Sequence, residues 1–506
     1  MQEALALPDC TAHEEVEFQP MAAKKRRVAA PSPVASAIAR PDILMNAAAL
    51  LAGILTTAAV ARLFFWGAAA QLGIIAGSCV GLMSTSLIWA PVAMVLSVSV
   101  GLSMVLGTFD PAAISLPALI GAVVALAVCW LVRRQPKARP WVAYAVIALI
   151  VASMWATTIY VSLPRPPGLG VPVAQAVAES PKVGEEWLDN EFYSRVLWLM
   201  RQGEGYYQAY RQGFNENVKW EIDPPSIVSY RLPTAFWIWN GLPGGQWGIF
   251  VAWLLLTTAA LAASVRIVVR RLPVVFAIPA VAALTTYFIY YGTTSCVLLT
   301  EAWGAAIGIL CVAAYIESFD SPNWRKWTIA AAALALAACL VRELMVYLPV
   351  AGFIAAFVAR REQRRFRALS WGAVLAAFSF AYALHVAAIG GAVSGVGSNL
   401  AFSSGGVAFL VRAFAWGVQI VGGGAVTLVT LSALAALGIA LTRDRAERVF
   451  LILAITLPFA AFLVFGNDAV DATGKAANYW GIVVVPLLIA LSPWGFAVCV
   501  DSVQRP

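Results

Sequence analysis

Nine ionisable residues stand where an otherwise greasy sequence makes charge expensive. Six are acidic: Asp189, Glu191, Glu301, Glu343, Asp468 and Asp471. Three are basic: Arg231, Arg342 and Lys475. Each falls at the end of a long apolar run or in a polar stretch between two such runs, and charges so placed tend to face a cavity. A carboxylate there can take the proton from an attacking hydroxyl, while Arg or Lys holds a leaving phosphate as its charge grows. Such a set suits transfer of a group from a lipid-phosphate donor whose tail stays in the bilayer.

Apolar runs must position these groups. The chain has 506 residues, 61% hydrophobic and 12% charged, with 34 Lys+Arg against 26 Asp+Glu for a formal net charge of +8. Soluble domains are roughly half apolar and about a quarter charged, so a soluble multidomain enzyme is excluded. The 19 Trp, 24 Phe and 14 Tyr exclude disorder for most of the chain, and 7 Cys in this length exclude a disulfide scaffold. Cys79, Cys129, Cys296, Cys311, Cys339 and Cys499 lie in or beside apolar runs and Cys10 in the polar N-terminus. That spacing fits neither a metal site nor a redox pair, so they read as packing residues. His13 and His385 are too far apart for histidine-based metal chemistry, and His385 reads as a helix-end or core residue.

Runs of about 20 apolar residues cross about 30 Å of hydrocarbon. They lie near 43–61, 70–90, 91–107, 113–132 and 141–162, then near 246–265, 273–291, 298–316, 327–341, 345–359, 369–388, 421–441, 449–465 and 480–498. The expected fold is an all-α polytopic membrane protein of about fourteen transmembrane helices. The run Lys24-Lys25-Arg26-Arg27, ahead of a membrane domain, marks residues 1–40 as a cytoplasmic tail and not as a nucleic-acid-binding segment. No short apolar core with a cleavage site follows it, so no signal peptide is expected. With this tail inside, Arg133, Arg134, Lys137 and Arg139, then Arg266, Arg270 and Arg271, then Arg325 and Lys326 all fall inside. Arg360, Arg361, Arg364, Arg365 and Arg367, and finally Arg443, Arg445 and Arg448, follow the same rule. Both termini are then cytoplasmic, in a multi-pass protein expected in a bacterial cell membrane. The chain divides into the tail 1–40, an N-terminal transmembrane extension 41–139, and a transmembrane domain 140–500 that includes an outer loop at 163–245.

That loop leaves the membrane through Pro164, Pro166, Pro167 and Pro172, a stiff extended connector. The pattern predicts a juxtamembrane helix from Asp189 to Gln202, capped by Asp189, ended by Gly203, with an apolar face of Phe192, Val196, Leu199 and Met200 lying along the membrane interface. Tyr206, Tyr207, Tyr210, Trp220, Tyr230, Phe236, Trp237 and Trp239 crowd the rest. They suit either an interfacial aromatic belt or a surface that contacts sugar or lipid.

The segment Asp189-Asn190-Glu191, continuing through Gly205-Tyr206-Tyr207, resembles the first outer loop of the GT-C glycosyltransferase superfamily, where an acidic pair heads a juxtamembrane helix. The stretch from Pro225 to Pro233 is similar to the loop segment that returns to the membrane in that superfamily. Thr300-Glu301, Val341-Arg342-Glu343 and Asn478-Tyr479-Trp480 resemble later helix ends of the same group. The likeness covers about 140–498; the four crossings before residue 141 depart from the family pattern and read as an addition. The resemblance implies a polyprenyl-phosphate-linked sugar as donor, a glycan, lipid or protein acceptor, and transfer with inversion on the non-cytoplasmic face. It implies Asp189 as catalytic base with Glu191 beside it as a substrate or metal ligand. Arg231, Arg342 and Lys475 would bind the donor phosphate, supported by Glu301, Glu343, Tyr207 and Tyr230. A divalent cation stays open.

Plainer readings stand beside these. Asp189 also fits a helix cap, Glu191 a favourable charge near a helix dipole, Arg342 and Glu343 a pair closed on itself, and Lys475 a solvated lysine. Two further classes share the helix count: an exporter or lipid-linked-oligosaccharide flippase, which needs no long outer loop and often shows internal repeats, and an O-antigen polymerase or ligase, which leans on loop arginines.

Overall fold

Ten of the expected crossings are helices in the computed structural model, which describes residues 140–162, 189–217, 230–293, 295–389, 424–464 and 480–503, with short pieces at 406–407, 409–410 and 413–414. The four expected crossings between 43 and 132, and the residues Trp220, Asp468, Asp471 and Lys475, lie outside the described residues. Among the described residues there is no strand.

In chain order the helices are α1 (Pro140–Ser162), α2 (Asp189–Arg201), α3 (Tyr206–Glu216), α4 (Thr234–Gly241), α5 (Gln246–Val269), α6 (Ala277–Thr293), α7 (Thr300–Asp320), α8 (Trp324–Val341), α9 (Tyr347–Phe357), α10 (Arg361–Ile389), α11 (Gly424–Ala440), α12 (Arg445–Val464) and α13 (Val485–Val503). Five of them, α5, α7, α8, α10 and α12, are long and apolar enough to cross a membrane. Of the others that match expected crossings, α6, α9 and α11 are shorter, at 17, 11 and 17 residues, and a 3-10 turn, Glu343–Val346, leads into α9.

Burial ranks these helices. In its most apolar 18-residue window α7 is 83% buried and α10 only 22%, so α7 is the central helix and α10 is peripheral. The sequences agree: α7 is apolar or small all round, as a surrounded helix must be, whereas α10 exposes Leu369, Phe380 and Leu384 on an outer face. Only three residues, Ser321 to Asn323, join α7 to α8, so the two run antiparallel as neighbours. Ala331, Ala332, Ala335 and Ala338 are among the buried positions of α8, and their small side chains bring it close. Where helices meet most tightly the contact residue is glycine. A Cβ on Gly352 of α9 would lie 2.3 Å from the Trp371 ring of α10, and one on Gly495 of α13 would lie 1.9 Å from the Leu434 carbonyl oxygen of α11.

Arg266, Arg270, Arg271 and Arg367 gather at one end of this bundle. Arg266 and Arg270 of α5 reach Glu317 of α7 at 2.5 and 3.1 Å, and Arg270 also meets Asp320. Arg271 donates to Glu447 at 2.5 Å and to Thr442 at 2.7 Å, and lies over the Trp494 ring. Arg367 is fully buried, donating to the Ser318 hydroxyl and carbonyl. Since α7 carries Glu317 and Asp320 near its last turn and Glu301 in its first, Glu301 stands at the opposite end, about 24 Å from Glu317 and about 28 Å from Asp320 at 1.5 Å per residue.

Helix α2 follows the expected span with one shift: Asp189 is itself in the first turn. Its C-terminus closes as a Schellman turn, with Gly203 at φ 99°, the Gly203 N–H on the Met200 carbonyl and the Glu204 N–H on the Leu199 carbonyl. The expected apolar face, Phe192, Val196, Leu199 and Met200, is buried, and the cover extends beyond it. Residues 192–197 are all buried, Ser194 and Arg195 included, because α3 and α4 close around the helix. Arg195 is satisfied there by a two-pronged pair with Glu216 of α3, at 2.6 and 2.9 Å.

Candidate functional site

The loop aromatics form an internal cluster. Tyr206, Tyr210, Tyr230, Phe236 and Trp239 are buried, while Trp237 is exposed. Phe192 stacks on Phe214 with centroids 4.7 Å apart and Tyr210 on Tyr230 at 5.0 Å; Trp239 meets Trp303 of α7 edge-on at 5.7 Å. These contacts clamp α2, α3 and α4 onto the first turns of α7. For the buried members the interfacial-belt reading gives way to a core reading, since a belt requires rings open to the headgroups.

Under this cluster four charges from three places meet. Glu301 opens α7 and Arg342 caps α8; Glu343 begins the 3-10 turn, and Arg231 precedes α4. Arg342 brings one guanidinium nitrogen to 2.7 Å from Glu301 and another to 2.7 Å from Glu343. The Glu301 contact is an ion pair by distance without an aligned hydrogen bond, and Arg342 Nε has no hydrogen-bond partner among the described residues. Arg231 reaches the same Glu343 oxygen at 3.4 Å and donates from Nε to the Tyr193 hydroxyl at 3.1 Å. Its backbone is held as well, since Tyr206 donates to the Arg231 carbonyl at 2.5 Å. Side-chain exposure falls inward, from 20% at Glu343 and 11% at Arg231 to 1% at Arg342 and 0% at Glu301. Burial pushes the Tyr193 phenol well above its ordinary value, and the Arg231 charge pulls the other way.

A second link comes from α10. His385, 2% exposed, stands 3.0 Å from the Tyr207 hydroxyl through Nδ1 and 3.4 Å from the Tyr230 carbonyl through Nε2. A carbonyl only accepts, so Nε2 donates there, and in the neutral ring Nδ1 then accepts from the Tyr207 hydroxyl. Tyr207 and Tyr230, named from the sequence, are thus tied to the peripheral helix, and Tyr230 immediately precedes Arg231 in the chain.

Of the residues singled out by sequence, the structure brings together Glu301, Arg342, Glu343 and Arg231, with Tyr207 and Tyr230 adjacent. Asp189 is half-buried one helical turn before Tyr193, and its charge adds to the rise of the Tyr193 phenol. Glu191 is exposed, in the first turn of α2. Sequence reading missed Tyr193; its reading of His385 as a helix-end or core residue holds, the residue being 2% exposed near the end of α10, but its hydrogen-bond partners were not foreseen. The signals were there: Tyr193 is four residues after Asp189, and His385 ends an expected crossing on the same side. Among the described residues no group of three or more His, Cys, Asp or Glu could hold a metal ion, and Glu301 and Glu343 face guanidiniums. Comparison of the chain with protein-family models, with curated proteins and with solved structures gives no match.

Proposed function

We propose that this chain is a GT-C-like membrane glycosyltransferase that moves a sugar, with inversion, from a polyprenyl-phosphate donor to a cell-envelope glycan, lipid or protein acceptor. The reading includes fourteen crossings, cytoplasmic termini, an N-terminal addition at 41–139, and a reaction on the face away from the basic loops of a bacterial membrane. One observation carries it: helices of the polar segment, headed by Asp189, are clamped over Glu301, Arg342, Glu343 and Arg231 at the helix ends opposite the arginine-rich end.

In this reading the acceptor hydroxyl loses its proton to Asp189 as its oxygen bonds to the anomeric carbon. The bond from that carbon to the donor phosphate breaks, and polyprenyl phosphate leaves. Arg231, nearer the exposed edge of the cluster, meets the phosphate charge that grows. Arg342 backs it from below, held between its two carboxylates. Lys475 and Glu191 remain part of the reading as a further phosphate contact and a substrate contact.

The test is transfer by the purified protein in nanodiscs supplied with polyprenyl-phosphate-linked sugars. Labelled sugar appearing on a cell-envelope acceptor, and lost in Asp189→Asn, supports the reading. A protein that binds such donors without releasing polyprenyl phosphate, but moves them across proteoliposomes, would make it a transporter.

A further inference from the structure

The basic end of the bundle holds two kinds of cation. Arg266, Arg270, Arg271 and Arg367 are engaged by groups of the chain itself, Glu317, Asp320, Glu447 and Ser318. Arg325 and Lys326 in the first turn of α8, and Arg361, Arg364 and Arg365 in the first two turns of α10, are exposed and form no ion pair among the described residues. Packing makes these five one patch. Trp324, which opens α8, meets Phe366 of α10 edge-on at 5.3 Å, and the Arg325 guanidinium lies 5.3 Å from the first ring and 5.7 Å from the second. Arg361 stands three and four residues from Arg364 and Arg365, a helical spacing at which like charges repel.

The chain's carboxylates do not balance this patch. Glu362 is the one acidic residue in these turns; Asp320 is engaged by Arg270, and Asp444 lies 3.9 Å from Arg360. Counting every described carboxylate at this end, Glu317, Asp320, Glu362, Asp444 and Glu447, still leaves five anions against thirteen Lys and Arg. Directly beyond the cations the surface turns apolar. Leu369 continues the stripe of Arg361 and Arg365, with Phe380 and Leu384 further along α10, while Trp327 and Ile329 follow Arg325 and Lys326 on α8; all five are exposed. Both helices are long and apolar enough to cross a membrane. A cationic rim set above an apolar stripe matches a lipid whose headgroup is negative and whose chains lie alongside.

We propose that the first turns of α8 and α10 form a binding site for an anionic phospholipid of the adjoining leaflet, its headgroup among Arg325, Arg361, Arg364 and Arg365 and its acyl chains along Leu369 and Trp327. Helix α10 is the least buried of the five membrane-length helices, so a lipid held there adds an attachment that protein packing leaves thin. The site requires α8 and α10 to cross a bilayer, as the proposed function does, and requires nothing of sugar transfer.

Phosphatidylglycerol and, separately, phosphatidylcholine with the same acyl chains are titrated into the full-length protein in detergent, and the bound lipids are counted by native mass spectrometry. The parent should hold phosphatidylglycerol more tightly than phosphatidylcholine. Arg361→Gln with Arg365→Gln should weaken phosphatidylglycerol binding about twentyfold, at about fivefold for each cation near an anionic surface, and leave phosphatidylcholine unchanged. Arg361→Lys with Arg365→Lys keeps both charges and should bind within a few-fold of the parent, which separates lost charge from lost folding. Arg443→Gln with Arg445→Gln removes the same charge at the same end, in and before the first turn of α12, and should cost at most a few-fold. Three results overturn the proposal: equal binding of the two lipids by the parent, undiminished binding in the glutamine pair at 361 and 365, or an equal loss in the pair at 443 and 445, which would mean a diffuse attraction to the whole basic end. No turnover is read, so failure here leaves the glycosyltransferase reading intact, and absence of sugar transfer leaves the lipid site standing.

Discussion

Arg342 and Glu301 face each other at 2.7 Å across the ends of α8 and α7, both almost wholly withdrawn from solvent. Withdrawing two charges is costly, and the pair persists because each neutralises the other; removal of one partner strands the second. Arg342→Met and Glu301→Gln should each lower stability by about 3–5 kcal/mol, read as a fall in the thermal midpoint in detergent. The double variant should lose much less than the sum. Additive losses would show that the two charges do not depend on each other.

The same geometry changes what Arg342→Lys tests. Guanidinium reaches Glu301 and Glu343 through different nitrogens, a fork that an ammonium cannot reproduce. The lysine variant should therefore be measurably less stable, where an arginine that only reached up to lipid headgroups would tolerate the change. An unshifted midpoint would count against the double pairing.

Asp189→Asn keeps the size of the side chain and removes its basicity. Under the proposed function transfer should fall by about 10² to 10⁴-fold, the usual share of a general base, with yield and thermal midpoint unchanged. Near-normal transfer would reduce Asp189 to a helix-end residue.

How much of this could be read in advance depended on the kind of signal. The helices at 246–269, 300–320 and 324–341 were legible because runs of apolar residues must become helices in a membrane-like environment. Glu301, Arg231, Arg342 and Glu343 were legible as charges at the ends of those runs. Their mutual pairing was not, since it depends on how the ends of α7 and α8 meet in space and on how the residue before α4, Arg231, far from them in sequence, is brought there. The same holds for α2: its periodicity showed one apolar face, but the cover over Ser194 and Arg195 is supplied by α3 and α4. Tyr206 and Tyr210 looked like belt residues because composition cannot tell a ring facing headgroups from a ring facing another ring.

Glu216 provides a pH test. Hydrogen bonds from Arg195 hold its carboxyl below the ordinary glutamate value of 4.5, with burial opposing and Gln212 assisting. A carboxyl lowered on folding contributes stability that is fully present above the unfolded value and is lost as pH falls through the folded one. Between neutral pH and 4.5 this pair should therefore add nothing to the pH dependence, and below 4.5 it should weaken progressively. Melting curves of the parent and of Glu216→Gln, compared between neutral and strongly acidic pH, should converge as pH falls. Curves that stay parallel would show that the pair contributes no linkage.

Gly495 tests the packing of α11 on α13. A methyl there would overlap the Leu434 carbonyl, which is backbone and cannot swing away. Gly495→Ala should destabilise by about 1–3 kcal/mol, the range for an overfilled contact. Gly241→Ala, where nothing lies within 4 Å, should change little. Equal melting points for the two variants would mean that the helices separate at small cost.

His385 joins the outer segment to the peripheral helix by two hydrogen bonds, one to the Tyr207 hydroxyl and one to the Tyr230 carbonyl. Tyr230 immediately precedes Arg231, so this link helps set where the guanidinium stands relative to Glu343. His385→Phe retains a ring in a buried place and removes both bonds, each worth about 0.5–1.5 kcal/mol. Hydrogen exchange of backbone amides should accelerate about tenfold over 206–217 and 230–241, the local opening expected from such a loss, while amides of α7 keep their protection. Glu301 and Arg342 do not touch His385 through any of these bonds, so their pairing should survive. Exchange that is unchanged at 230–241 would show that the aromatic cluster alone holds Arg231, and exchange that rises equally in α7 would show that His385 supports the whole bundle rather than the outer segment.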